Sequence, residues 1–228
     1  MDRFAGFVGV AALVLAVVLS KGRAPQVPQP LERPRPPPPP IPHAEHFEVV
    51  VSPADKFKFN AAHFIAFQGF RERLHGHNYT VGVRLVGSHI QSDGYLMDYG
   101  QIKDICGKIC KEELNEKFLL PMKSDVLDIQ FVNGNVFMHC VVDGSEFSIP
   151  QNDCAFLPIV HSSTEELAVF LWERIIQEFT LQALQERGIY SMEISVAEMP
   201  HQKAVFRRAV QEFGQQVNQR MDQPKGCL

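Results

Sequence analysis

The sequence predicts an α+β fold in which strands open and close the domain, with two amphipathic helices between them and hairpins between the helices. Three observations carry this reading. Residues 46–51, 56–62, 79–86, 191–197 and 203–207 show strand composition and spacing. Apolar residues recur at helical spacing over 99–114 and again after Ser163. Two turn dipeptides, Asn133-Gly134 and Asp143-Gly144, interrupt an otherwise strand-like stretch from 126 to 149.

Taken in order, HFEVVV (46–51) and KFKFNAA (56–62) bring β-branched and aromatic residues, separated by Ser52, Pro53, Ala54 and Asp55. YTVGVRLV (79–86) puts Val81, Val83 and Leu85 on one side, with Gly82 weakening the strand slightly. After the turn-like Ser92, Asp93 and Gly94, the first helix aligns Ile102, Ile105, Cys106, Ile109 and Cys110. Asn133-Gly134 supplies the positive φ values that a two-residue hairpin demands. Ser163 and Glu166 have capping-box spacing and start a second helix, with Leu167, Phe170, Leu171, Ile175 and Phe179 on its stripe and Gly188 as its stop.

The domain is expected over 46–208, followed by a polar tail over 209–228. Ahead of it, residues 4–19 are uninterrupted apolar or glycine, a run of about 24 Å as a helix and slightly short of a bilayer core. Asp2 nearly cancels Arg3 and no Ala-x-Ala follows Leu19, so a membrane anchor fits residues 1–23 better than a secretory signal. Lys21, Arg23, Arg33 and Arg35 would keep the remaining chain on the cytoplasmic side. An organelle-targeting leader and a start codon set too far upstream are the alternatives. Ten of the sixteen prolines fall between Pro25 and Pro42, which makes 24–45 a stiff linker or a ligand for a proline-recognising module.

The 228 residues are 45% hydrophobic and 21% charged, a globular composition. With 22 basic and 26 acidic residues the net charge is −4, so no overall field gathers phosphate backbones and a nucleic-acid partner is not expected. Five cysteines without zinc-finger spacing read as reduced thiols in a cytosol-like compartment.

The chemistry concentrates on His63, His75 and His77. Residues two apart on a strand share a face, so His75-Gly76-His77 can present two imidazoles together, with Gly76 keeping the gap clear. If 56–63 pairs with 77–85 as a hairpin, His63 reaches the same metal from the neighbouring strand. Three neutral imidazoles with an open fourth position describe a catalytic zinc site. Three unrelated histidines among the nine are the plain alternative.

Phe59-Asn60-Ala61-Ala62-His63, Leu74-His75-Gly76-His77-Asn78-Tyr79, Gly94-Tyr95-Leu96-Met97-Asp98-Tyr99, Ser163-Thr164-Glu165-Glu166 and Val196-Ala197-Glu198 together resemble the 6-pyruvoyl-tetrahydropterin synthase family, which includes the carboxy-tetrahydropterin synthases. The resemblance spans 46 to about 208. It implies a T-fold, a four-stranded antiparallel sheet with two helices on one face, whose subunits close into barrels as trimers and hexamers. It also implies Zn2+ on His63, His75 and His77, and a pterin triphosphate substrate. Glu198 would anchor the pterin ring, with Thr164 and Glu165 nearby. One carboxylate can accept both the amino group and the ring N–H of a pterin. An exposed strand-end carboxylate is the alternative for Glu198, and helix capping for Thr164 and Glu165.

Two departures separate the chain from the animal-type pattern. No cysteine base occurs in Gln68-Gly69-Phe70-Arg71-Glu72-Arg73-Leu74; instead Glu72 resembles the Glu-x-x-His-Gly-His variant associated with folate synthesis, which converts 7,8-dihydroneopterin triphosphate to 6-hydroxymethyl-7,8-dihydropterin. The alternative for Glu72 is a charged turn with Arg71 and Arg73. The expected Leu-Asp-His-Lys relay is Leu114-Asn115-Glu116-Lys117, leaving His161 as the candidate replacement acid or base. Cations for the triphosphate include Arg71, Arg73, Lys117, Lys123 and Lys203. The competing activities are the 6-pyruvoyl reaction, the 6-carboxy reaction, and a non-catalytic zinc-binding module.

Overall fold

The computed structural model describes residues 46–52, 57–211 and 213. The expected anchor over 1–23, the linker over 24–45 and most of the polar tail over 209–228 lie outside the described residues. Among the described residues no helix is long and apolar enough to cross a membrane.

The chain starts with β1 (Phe47–Val51) and β2 (Lys58–His63), a short ribbon of β3 (Ala66–Phe67) and β4 (Phe70–Arg71), and the 13-residue β5 (His75–Gly87). Helix α1 (Tyr99–Lys108) runs into a π-helical turn over Ile109–Leu114, followed by β6 (Lys117–Pro121). Strands β7 (Leu127–Val132), β8 (Asn135–Cys140) and β9 (Glu146–Pro150) form a separate three-stranded sheet. The chain continues through β10 (Cys154–Leu157), α2 (Thr164–Phe179), α3 (Leu181–Glu186), β11 (Ile189–Met199) and β12 (Gln202–Ala209).

The four-stranded antiparallel sheet is the path β2-β5-β11-β12. It is wider than expected: β1 joins β5 beyond the end of β2, and β6 and β10 extend the other side in parallel. These two added strands, KFLLP and CAFL, are short apolar runs without alternation, which is why period-two reading does not find them. Strand β5 also begins earlier than the sequence predicts and takes in both glycine-flanking histidines. The register pairs His63 with His75 and Ala61 with His77, not 56–63 with 77–85.

Pleat alternation sends Phe59, Tyr79, Val81, Val83 and Leu85 to one face, where they join Met192, Ile194 and Val196 in the main core. Helix α2 covers that face with Leu167, Phe170, Leu171, Ile175 and Phe179, all buried, and burying each such side chain contributes about 1.5–3 kcal/mol. Trp172 is fully buried and donates its Nε1–H to Met192 O at 2.8 Å. A second core, including Phe64, Phe118, Leu120, Val136, Met138 and Cys140, lies under the three-stranded sheet.

Helix boundaries differ from the sequence reading for local reasons. Asp98 caps α1 by accepting from Gly100 N at 2.9 Å. The second helix breaks at Thr180, whose φ of 65° turns the chain and whose Oγ1 accepts from Ala183 N to start α3, so Gly188 terminates α3 rather than α2. Cys106, Cys110, Cys140 and Cys154 are buried free thiols, and burial pushes the Cys110 thiol up to about 12.

Candidate metal centre

His63 ends β2 and His75 and His77 open β5, all three on the helix-covered face of the sheet. The ring centroids of His63 lie 4.6 Å from those of His75 and 5.2 Å from those of His77, and His75 and His77 are 4.8 Å apart. One nitrogen from each ring lies within 4.8 Å of the others. Gly76 faces away from this cluster. A Cβ there would stand 3.0 Å from Ala61 O, so the glycine is required for the close approach of β2 and β5 and not, as the sequence reading has it, to clear the gap between imidazoles.

Hydrogen bonds orient two of the rings. His63 Nδ1–H donates to Ser162 O at 2.9 Å, which leaves Nε2 buried and without a partner. His75 Nδ1–H donates to Arg73 O at 2.7 Å. Backbone carbonyls that hold Nδ1–H and present Nε2 are the usual outer support of a metal-binding histidine. Burial lowers the His63 pKa to about 4, assisted by the adjacent His75 and His77, so its imidazole is neutral at physiological pH. An orphaned buried ring nitrogen, a neutral donor and two further imidazoles fit a zinc ion.

Around the cluster, Glu72 sits on the ribbon joining β2 to β5. Its N–H donates to Ile65 O at 2.9 Å and its Oε2 accepts from Ile65 N at 3.1 Å, so a single carboxylate oxygen is tied down. Its charge contributes weakly at both His63 and Tyr79, so it is within electrostatic range of the cluster. Glu198 lies at a register shift near the end of β11, with Oε2 3.6 Å from His77 Nε2. Glu198 therefore meets the cluster directly, and Glu72 stands on the ribbon next to it.

The remaining candidates are placed less directly. His161 has its Nδ1 3.0 Å from Glu166 Oε1, a carboxylate that also accepts from Val160 N and His161 N. Glu166 thus spends its carboxylate on that segment, while Ser163 Oγ accepts from Glu166 N at 3.4 Å. Thr164 and Glu165 begin α2 just after Ser162, with Thr164 Oγ1 donating to Glu165 Oε2 at 3.2 Å. Ser163 is the cap, so capping does not account for these two. The altered relay stretch is built into the sheet: Asn115 Oδ1 accepts from Asn60 N, Glu116 N donates to Asn60 O, and Lys117 Nζ donates to Glu112 O.

Two residues of the site were not singled out in the sequence. Ser162 acts through a backbone carbonyl, which has no sequence signature. Tyr79 continues the 75-77-79 alternation and could have been read from it. Its buried ring lies 5.9 Å from His63 and 5.6 Å from His77, and its hydroxyl is buried without a partner. Burial, with the charges of Glu198 and Glu72, holds the phenol above its ordinary pKa. A cavity of about 560 Å3 is lined by Asn60, Gly76, Asn78 and Lys117 and reaches His77 of the cluster.

The sequence model of one protein family, 6-pyruvoyl tetrahydropterin synthase, matches residues 54–209. The chain belongs to the 6-pyruvoyl tetrahydropterin synthase family. A Methanocaldococcus jannaschii protein named for 6-carboxy-5,6,7,8-tetrahydropterin synthase is 28% identical over 151 residues, 66% of this chain and 90% of that one. The crystal structure of 6-pyruvoyl tetrahydropterin synthase from Plasmodium vivax shares 48% identity, covering 72% of this chain and 99% of that one, with a TM-score of 0.69. The Plasmodium falciparum enzyme of the same name shares 43% identity over 72% of this chain and 98% of its own, also with a TM-score of 0.69. Two more P. vivax structures, at 47% identity, carry alanine or cysteine in place of a glutamate described as a catalytic residue. These neighbours make the α+β architecture described above a T-fold.

Proposed function

We propose that this chain is a zinc-dependent lyase that cleaves 7,8-dihydroneopterin triphosphate to 6-hydroxymethyl-7,8-dihydropterin for folate synthesis, with Glu72 as the base. The observation that carries the reading is the position of Glu72. Its carboxylate is fixed by one oxygen on the ribbon between the two strands that bear the three imidazoles, where animal-type relatives place a thiol. The glutamate described as a catalytic residue in the 47% identical P. vivax protein supports it.

His63, His75 and His77 would hold the zinc, which when bound supplies Lewis-acid polarisation of the substrate's side-chain oxygens. Glu198 accepts the amino and ring N–H donors of the pterin, fixing the side chain near His77. Thr164 and Glu165 flank the bound ring. Glu72 accepts the proton of the 2′-hydroxyl, the C1′–C2′ bond breaks, and its electron pair passes into the dihydropterin ring system. Glu72, or His161 oriented by Glu166, returns the proton to C1′. The products are the hydroxymethyl pterin and a two-carbon aldehyde that keeps the triphosphate, with no net oxidation. The active form is a homo-oligomer, trimer or hexamer, with its catalytic domain facing the cytoplasm.

Incubating the zinc-loaded protein with dihydroneopterin triphosphate and identifying the released pterin tests the reading. The 6-hydroxymethyl product is expected; a 6-pyruvoyl product, or a 6-carboxy product with acetaldehyde, would replace the cleavage reading by one of the two sister reactions. Glu72→Gln should reduce turnover by roughly 100-fold or more while zinc content and assembly stay unchanged.

A further inference from the structure

The three-stranded sheet β7-β8-β9 contributes no group to the chemistry proposed above, yet it meets the ribbon that carries Glu72. The turn after β8 presents a carboxylate. Asp143 Oδ1 accepts from Ser145 N at 3.1 Å, Oδ2 accepts from Ser145 Oγ at 2.9 Å, and Gly144 N donates to Cys140 O at 2.8 Å. Arg71 Nε donates to that same Oδ2 at 2.6 Å.

The guanidinium of Arg71 does three things at once. Beyond Asp143, its Nη1 donates to Glu72 O at 2.7 Å. Its face lies 5.8 Å from the Phe64 ring and 5.5 Å from the Phe147 ring, and those rings stack at 4.9 Å. Phe64 belongs to the segment leaving β2, and Phe147 to β9. The Arg71 side chain is only 17% exposed while Asp143 is 36% exposed, so the pair is partly solvated and its weight lies in the fixed geometry of the guanidinium more than in its charge. A planar fork with fixed donor directions transmits position where a flexible ammonium would not. Arg71 is therefore committed to this contact and is removed from the candidate triphosphate cations.

We infer that Asp143 is a positioning residue: through Arg71 it fixes the backbone of Glu72, and the inserted sheet serves as a support for the base. The inference rests on the reading of Glu72 given above. Removing the Asp143 charge leaves β3–β4 pairing and both Ile65–Glu72 bonds in place, so the ribbon persists but its aim loosens.

Steady-state kinetics of the full chain loaded with zinc test this in Asp143→Asn, Asp143→Glu, Glu72→Gln and the Asp143→Asn/Glu72→Gln double variant. Asp143→Asn should lower kcat about tenfold, with KM within about twofold and zinc content unchanged, because small misplacement of a reacting group is costly. Asp143→Glu, which can rebuild the ion pair, should recover most of the loss. On the Glu72→Gln background Asp143→Asn should have no further effect, since the two act as one unit. Unimpaired kcat in Asp143→Asn, or a further tenfold loss in the double variant, overturns the positioning role alone. Full activity in Glu72→Gln overturns the assignment of the base, and this inference with it.

Discussion

Tyr79 brings a hydroxyl into the core beside two imidazoles and finds nothing there to bond. A buried donor without a partner carries a desolvation penalty and no compensating bond. Tyr79→Phe removes only that oxygen, so the thermal midpoint of the metal-free protein should stay unchanged or rise; a fall corresponding to about 1 kcal/mol or more, measured calorimetrically, would mean the hydroxyl is bonded after all. At this scale the sequence was informative about residue type and spacing. The three histidines, Glu72 and Glu198 are legible as motif residues, and the structure gathers the histidines with Glu198 at His77 and places Glu72 on the adjoining ribbon. What spacing could not give is the tautomer of each ring, since that is decided by the carbonyls of Ser162 and Arg73, and every residue has a carbonyl.

Strands β2 and β5 owe their close approach to Gly76. Gly76→Ala would force its Cβ against Ala61 O at 3.0 Å, a backbone atom that can yield only if the strands move apart. Overpacking of this kind costs about 1–3 kcal/mol, which denaturant titration would read, and the separation of His63 from His75 should widen, weakening zinc affinity in a competition assay. If zinc affinity is untouched, strand spacing does not govern the centre. Element by element, alternation and helical stripes located most of the main sheet and both long helices. They failed where the chain gives no period: β6 and β10 are short apolar runs, and the break at Thr180 depends on a positive φ in a β-branched residue, which nothing in a helical stripe announces. The register of β2 on β5 was missed by two residues because the connection folds back on itself through the β3–β4 ribbon.

Across the whole molecule, the buried His63 couples folding to pH. Its folded-state pKa is lowered to about 4 from 6.5, so between those values the unfolded chain binds more protons than the folded one. The stability of the metal-free protein should be complete above about pH 6.5 and decline as pH falls toward 4, by up to roughly 3 kcal/mol. Chemical denaturation across that range would show it, and zinc should raise the midpoint at neutral pH by binding the native state alone. A flat profile would mean that His63 is solvated in the free protein. The division of labour between strand and ribbon has a broader consequence. The imidazoles stand on paired strands, whereas the Glu72 carboxylate rides on the link that joins them, a link that also supplies the Arg73 carbonyl orienting His75. On the proposed reading, such an arrangement would let one scaffold change the group at position 72 while the strands that carry the imidazoles keep their pairing.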